Sequence, residues 1–430
     1  MRAAILKDGK DRDIRMTSFA KALRMVCASV VSLMSVMSVV VLVVPVARAA
    51  EEAPKGHLLI AGGAVRADNA EVWGRLIELA GGKGARIAVM PSAAGNPLRS
   101  GTNLVATLNK YGAQAFAVPV AVRFKDRDYL KDAEDEALAR SIREAGGVYF
   151  AGGDQGLITK ALVRADGSRS AVLQAIWDVY QKGGVIGGSS AGAAIMSSTM
   201  YYEAKTVLGT LSVGVNDGQE LAPGLGFVGK DLFVDQHLLA RGRFARMLPA
   251  MLKKGYKQGL GIDENTAVII NGKREVEVVG YQGALLLDLA LATTNGREKD
   301  FNLSNARISY LDRGDRYNLS TRQYTPSADK AGGKLDPAAP FLNEQVYSAD
   351  ILGHNTVLVM MEKLINNARD TAIGIAAAAP GDPRQDLGFE FKLTRDAESV
   401  GYESATADAY TILNLRMDVR PLKITQPWYQ

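Results

Sequence analysis

The sequence predicts an α/β fold: a mostly parallel sheet flanked by helices, followed by a C-terminal extension. From His57 onward, short apolar runs alternate with amphipathic stretches. Each of the first five runs ends in a glycine, serine or asparagine turn before the next helical pattern. After about Thr266 the runs crowd together, as in antiparallel edge strands. Strands alternating with helices imply parallel pairing with both faces covered.

The first 49 residues stand apart. Arg2, Lys7, Lys10, Arg12, Arg15, Lys21 and Arg24 precede a charge-free apolar run from Val26 to Val46. Pro45 and Ala47-Arg48-Ala49 close it. A basic start, an apolar middle and an A-x-A site make a secretory signal, with cleavage expected after Ala49. Met16 or Met25 as the start gives a signal of more usual length. Uncleaved, the run is long enough to span a bilayer, and only then is membrane attachment expected. Cys27 lies at the start of the run, away from a lipoprotein position. The expected location is the periplasm or the medium.

Removing this segment changes the charge. It holds eight of the 51 Lys+Arg and three of the 46 Asp+Glu, so the remainder carries 43 of each and is neutral. It also holds the only Cys. A neutral chain gives no reason to expect a nucleic-acid partner. One Cys and three His exclude a disulfide framework and a zinc site built from several such ligands.

The expected parallel strands are Leu58–Ala61, Arg86–Met90, Gln114–Val118, Gly147–Ala151, Val185–Gly187, Leu232–Asp235 and Gly259–Ile262. Glu71–Ala80, Leu104–Tyr111 and Asp135–Ala145 read as helices between them. Ala267–Ile270, Glu275–Val279 and Ala284–Leu289 read as edge strands. Residues 50–296 thus form the expected catalytic domain. Residues 297–342, with Ala331–Gly333 and Pro337–Pro340, read as a linker or edge segment. Residues 343–430 form an extension of unknown role with one clear helix, Thr356–Asn367.

Val185–Ala193 is the most informative segment. An apolar strand enters Gly188-x-Ser190-x-Gly192 and then a helix of small residues. That is the strand–turn–helix setting of a nucleophile elbow. The following N–H, of Ala191, can face a developing oxyanion. His237 is the candidate base, because strand C-termini gather on one side of an open α/β sheet. His57 and His354 are the other histidines, and a Ser…acid…His order would require His354. Asp263 and Glu264 both offer an orienting carboxylate. They point to opposite faces of a strand, and pleating alone does not choose between them. Gly152-Gly153-Asp154-Gln155 is a further strand-to-turn junction, where the Gly153 N–H can complete an oxyanion hole and Gln155 can bond an amide. Arg241, Arg243 and Arg246 suit an acidic substrate, since guanidinium groups fork onto carboxylates. No Walker A sequence occurs. Gly224–Gly229 matches G-x-G-x-x-G formally but precedes a strand, so it is no dinucleotide site.

Taken together, these four motifs resemble cyanophycinase, within the serine peptidases related to aspartyl dipeptidase. The resemblance covers about residues 57–290, and Ser189 stands where familiar members have Thr. It implies a class I glutamine amidotransferase-like fold, a homodimer and no metal or cofactor. By position, Ser190 would be nucleophile, His237 base and Glu264 orienting acid. Asp154, Gln155, Asp235, Gln236, Arg241, Arg243 and Arg246 would line the cleft. The implied substrate is cyanophycin, polyaspartate with arginine on each β-carboxyl, released as β-Asp-Arg. The alternatives are an aspartyl dipeptidase or other secreted hydrolase on the same scaffold, and a catalytically silent binding protein.

Overall fold

The apolar run at His57 forms strand β1 (His57–Ala61). The computed structural model describes residues 54–378 and 384–425, so the expected leader over 1–49 lies outside the described residues. Four parallel strands follow: β2 (Arg86–Met90), β3 (Gln114–Ala117), β4 (Gly147–Phe150) and β5 (Val185–Ser189). Their order is β1-β5-β4-β2-β3. Alternate residues feed two apolar layers. Leu59, Ala61, Ile87 and Val89 pack under Val72, Trp73 and Leu76 of helix Ala70–Leu79. Leu58, Ile60, Ala88 and Met90 face the helices Glu136–Arg143, Gln155–Leu162 and Ala171–Lys182. Burial on both faces explains why these strands read as continuous apolar runs. The helices begin on Asn69, Asn96, Asp135, Asp154 and Ser170, whose side chains accept backbone N–H groups.

After β5, β6 (Thr199–Tyr201) and β7 (Leu221–Pro223) form a two-stranded ribbon. Strands β8 (Leu232–Gln236) and β9 (Gln258–Ile262) are parallel and joined by helix Phe244–Lys254. They do not join the first sheet, contrary to the sequence expectation. The edge of β1 is taken by β10 (Thr266–Ile270), which pairs antiparallel with it, Ala61 opposite Ala267. Beyond β10 lies β11 (Glu275–Gly280). Strands β8 and β9 instead found a second sheet, continued by β12 (Ala284–Asp288) antiparallel to β9.

Residues 297–342 are more structured than a linker. Strand β13 (Leu303–Leu311) pairs with β12, and β14 (Arg316–Asn318) and β15 (Tyr324–Thr325) extend the first sheet. The extension builds the rest of the second sheet: β16 (Val346–Ser348), β17 (Thr371–Ala376), β18 (Leu387–Thr394), β19 (Val400–Glu403) and β20 (Tyr410–Lys423). The order is β16-β17-β18-β20-β13-β12-β9-β8, with β19 on β20. The strands of the extension therefore share a sheet with β8 and β9. A buried polar knot fastens the join. Lys330 is fully buried and donates to Asp312 at 2.6 Å, while Asp315 accepts from Tyr324, Ser327 and Thr411 of β20. Among the described residues no helix is long and apolar enough to cross a membrane.

Candidate active site

Ser190 follows β5 and stands at the N-cap of the short helix Ala191–Ala194. Its backbone has φ 54° and ψ −110°, a strained conformation for a residue with a side chain. The strain holds because small neighbours permit it. A β-carbon on Gly188 would lie 2.3 Å from the Gly192 carbonyl oxygen, and one on Gly192 would lie 2.5 Å from that of Phe150. The Ser190 carbonyl accepts from Ala193 and Ala194 at 2.9 Å each, which fixes the turn.

The His237 ring bridges two groups. Its Nε2 lies 2.9 Å from the Ser190 hydroxyl oxygen, and its Nδ1 lies 2.6 Å from Glu264 Oε1. With Glu264 ionised, Nδ1–H donates to the carboxylate and Nε2 is left to accept the serine proton. The pleat ambiguity resolves geometrically. Glu264 faces the histidine; Asp263 is buried on the other side and accepts the Ala240 N–H at 3.2 Å. Burial pushes the Asp263 carboxyl above its usual range. His57 sits at the opposite end of β1, beside Val185, and His354 is exposed in the turn before helix Thr356–Ile365.

Three residues that the sequence reading passed over organise the site. The carbonyls of Ala61, Gly62 and Gly63 accept, in turn, the N–H groups of Ser190 at 3.0 Å, His237 at 2.8 Å and Asn265 at 2.8 Å. One turn after β1 therefore clamps the loops bearing all three candidate residues. Ser190, His237 and Asn265 each have positive φ, so strain is concentrated around this turn. The Gly62-Gly63 pair after an apolar strand was the available signal, and it repeats Gly152-Gly153 after β4.

Gly152 lies close against Ser190: a β-carbon there would be 3.3 Å from the serine Cβ. Gly153 has φ 143° and has no room for a side chain beside the Ala93 carbonyl. Among the described residues, the N–H groups of Gly153 and Ala191 donate to no protein acceptor. Both are thereby free for a developing oxyanion.

The histidine is electrostatically poised as a base. Burial lowers its pKa below the usual 6.5, and Arg241 and Arg243 lower it further, against an upward pull from Glu264. The net shift favours the neutral imidazole.

Four of the residues expected to line the cleft are spent on structure. Asp235 and Arg246 form a buried two-pronged pair with both contacts at 2.6 Å, and the guanidinium lies over Tyr201 with its carbon 4.3 Å from the ring centroid. Neither charge remains for a substrate. Asp154 caps helix Gln155–Leu162, and the Gln155 amide donates to the Tyr201 carbonyl at 2.6 Å. Gln236 is buried and accepts from Arg243 at 2.9 Å. Arg241 is exposed and Arg243 half-buried. The extension supports their loop: Asn355 donates its N–H to the Leu239 carbonyl at 3.1 Å, and the Leu352 carbonyl lies against Gly242. Among the described residues, no cluster of three or more His, Cys, Asp or Glu side chains could hold a metal ion.

Residues 57–278 match Peptidase family S51. The chain belongs to this family. It is a serine-type peptidase, with an α/β fold as the sequence predicted. The chain is 30% identical over 279 residues to a cyanophycinase of Geminocystis herdmanii, covering 62% of this chain and 94% of that one. A cyanophycinase of Synechococcus elongatus is 29% identical, with 63% and 81% covered. A crystal structure of a peptidase from an acI-B1 Actinobacterium superposes with a TM-score of 0.43 at 21% identity, covering 54% of this chain and 90% of that chain. The family match ends before β12, so β12, β13 and the strands of the extension lie beyond it.

Proposed function

We propose that the protein is an exported cyanophycinase-like peptidase that cleaves the polyaspartate backbone of cyanophycin, releasing β-Asp-Arg. The observation that carries this reading is the His237 bridge between Ser190 and Glu264. The relatives named cyanophycinase supply the substrate class.

The reaction is acyl transfer. The Ser190 oxygen attacks the aspartyl carbonyl carbon while Nε2 of His237 takes the hydroxyl proton. The N–H groups of Ala191 and Gly153 stabilise the oxyanion. The C–N bond then breaks, and the imidazolium returns the proton to the leaving amine. Water, deprotonated by His237, attacks the ester. The acid product leaves and Ser190 regains its proton. Glu264 holds the ring and offsets its charge. Arg241 and Arg243 face substrate carboxylates. Residues 1–49 direct export.

The test is incubation of residues 50–430 with insoluble cyanophycin and identification of products by mass. β-Asp-Arg from the native protein, and none from Ser190→Ala, is the expected result. Cleavage of Asp-X dipeptides with the polymer left intact would instead identify an aspartyl dipeptidase.

A further inference from the structure

A cleft of about 600 Å3 opens against Ser189 and Gly152, beside the candidate nucleophile. The turns after β1, β2 and β4 and helix Pro97–Lys110 wall it. His237, Glu264, Arg241 and Arg243 take no part in its lining. It is therefore a compartment distinct from the arginine loop.

Among the described residues, Arg99 is the only charged one that lines it. The Arg99 side chain is exposed, and no described residue pairs with its guanidinium. Arg123 reaches the same place, with a guanidinium nitrogen 3.5 Å from where a β-carbon on Gly95 would stand. Elsewhere in this half of the chain Arg66, Arg75, Arg127, Arg143 and Arg164 each hold a carboxylate. Here, among the described residues, no carboxylate lines the cleft. The lining also includes the polar Asn103 and Thr107 and the apolar Trp73 and Leu104. That combination suits a carboxylate carried on an aspartyl side chain.

We propose that this cleft is a second anionic subsite, which takes a carboxylate-bearing residue of the substrate on the opposite side of the cleaved bond from Arg241 and Arg243. The proposal rests on the reading of Ser190 as nucleophile. A guanidinium grips a carboxylate through two parallel hydrogen bonds, which fixes orientation as well as charge. Such a pair is weak when fully solvated. Apolar lining such as Leu104 limits the water around it and strengthens it. The preferred substrate is then a chain with a carboxylate on each side of the scissile bond, supplied in cyanophycin by the α-carboxylates of its arginines and in oligo-aspartate by the side chains themselves.

The test is direct binding to Ser190→Ala protein, which cannot turn over. Calorimetry compares end-blocked oligo-aspartate with oligo-asparagine of equal length. Arg99→Gln on that background should weaken oligo-aspartate about tenfold and leave oligo-asparagine unchanged, with Arg99→Lys in between. Arg316→Gln, on the remote strand β14, controls for bulk charge. Equal affinity with and without Arg99→Gln would overturn the subsite. So would equal weakening by Arg316→Gln, or a parent that does not bind oligo-aspartate. Failure of the native protein to cleave any aspartyl peptide would instead sink the catalytic reading and is scored separately.

Discussion

Gly63 packs its α-carbon against the His237 imidazole so closely that a β-carbon there would lie 2.2 Å from Cε1 and 2.4 Å from Nε2. The φ of +127° excludes most side chains as well. Gly63→Ala must therefore displace the ring that bridges Ser190 and Glu264. A shift of about 1 Å in such a group costs on the order of a hundredfold in rate. The expected result is a fall in kcat/KM of at least that size with a cooperative unfolding transition retained. A variant with native kcat/KM would show that the ring position is not what the glycine protects.

Glu264 and Asp263 are neighbours with opposite duties. Glu264→Gln removes the negative charge that fixes the tautomer and offsets the imidazolium, and should lower kcat by about 10³–10⁴, as loss of an orienting carboxylate does elsewhere. Asp263→Asn keeps an oxygen for the Ala240 N–H and should leave kcat within a few-fold. Steady-state kinetics of the two variants decide this. The assignment fails if Asp263→Asn is the more damaging.

The pH profile carries a signed prediction. His237 must be neutral to act, and burial, then Arg241 and Arg243, place its pKa below 6.5. The acid limb of kcat/KM should therefore lie below pH 6.5, with activity lost as pH falls through it. Arg241→Gln removes a charge that disfavours the imidazolium, so the limb should move to higher pH. An unmoved limb, or one moved lower, contradicts the placement of Arg241 near the ring.

Asp235 and Arg246 should matter for stability more than for substrate. Both side chains are buried and each satisfies the other. Asp235→Asn leaves a buried guanidinium uncompensated and should cost about 3–5 kcal/mol in denaturant unfolding. KM of the folded variant, measured well below its midpoint, should stay close to native. A large KM increase without loss of stability would return Asp235 to the substrate cleft.

The first five strands and the elbow were legible because each is local. Val185–Ser190 carries an apolar run, a glycine turn and a serine within a few residues. Partnership was not local. Nothing in Leu232–Gln236 tells whether it pairs with β1 or elsewhere; the answer lies in β10, which occupies that edge. Strand β13 was obscured by Asn305, whose positive φ coincides with a register shift between Leu303 and Ala306 and breaks the alternation. Arg246 looked like a substrate ligand because the sequence shows the charge and hides the carboxylate that meets it. The Ala61–Gly63 clamp showed in the sequence only as a glycine pair after a strand, since its function is in the carbonyls.

The extension should act on substrate binding through Gly242. That residue has φ +58°, and a β-carbon on it would lie 2.3 Å from the Leu352 carbonyl oxygen. The loop from Leu239 to Arg243 is thus pinned between the extension and the Asp263 carboxylate, which holds the Ala240 N–H. Gly242→Ala forces the loop away from the Leu352 turn and carries Arg241 and Arg243 with it. His237 is anchored separately, by its N–H to the Gly62 carbonyl at 2.8 Å. The two effects should separate in kinetics. KM for an acidic peptide should rise about tenfold, the worth of one charge-assisted contact, while kcat holds within a few-fold. Backbone strain should lower stability by about 1–3 kcal/mol, which denaturant titration measures. If kcat collapses while KM stays native, the extension supports the chemistry and not the grip on substrate, and this account of the loop is wrong.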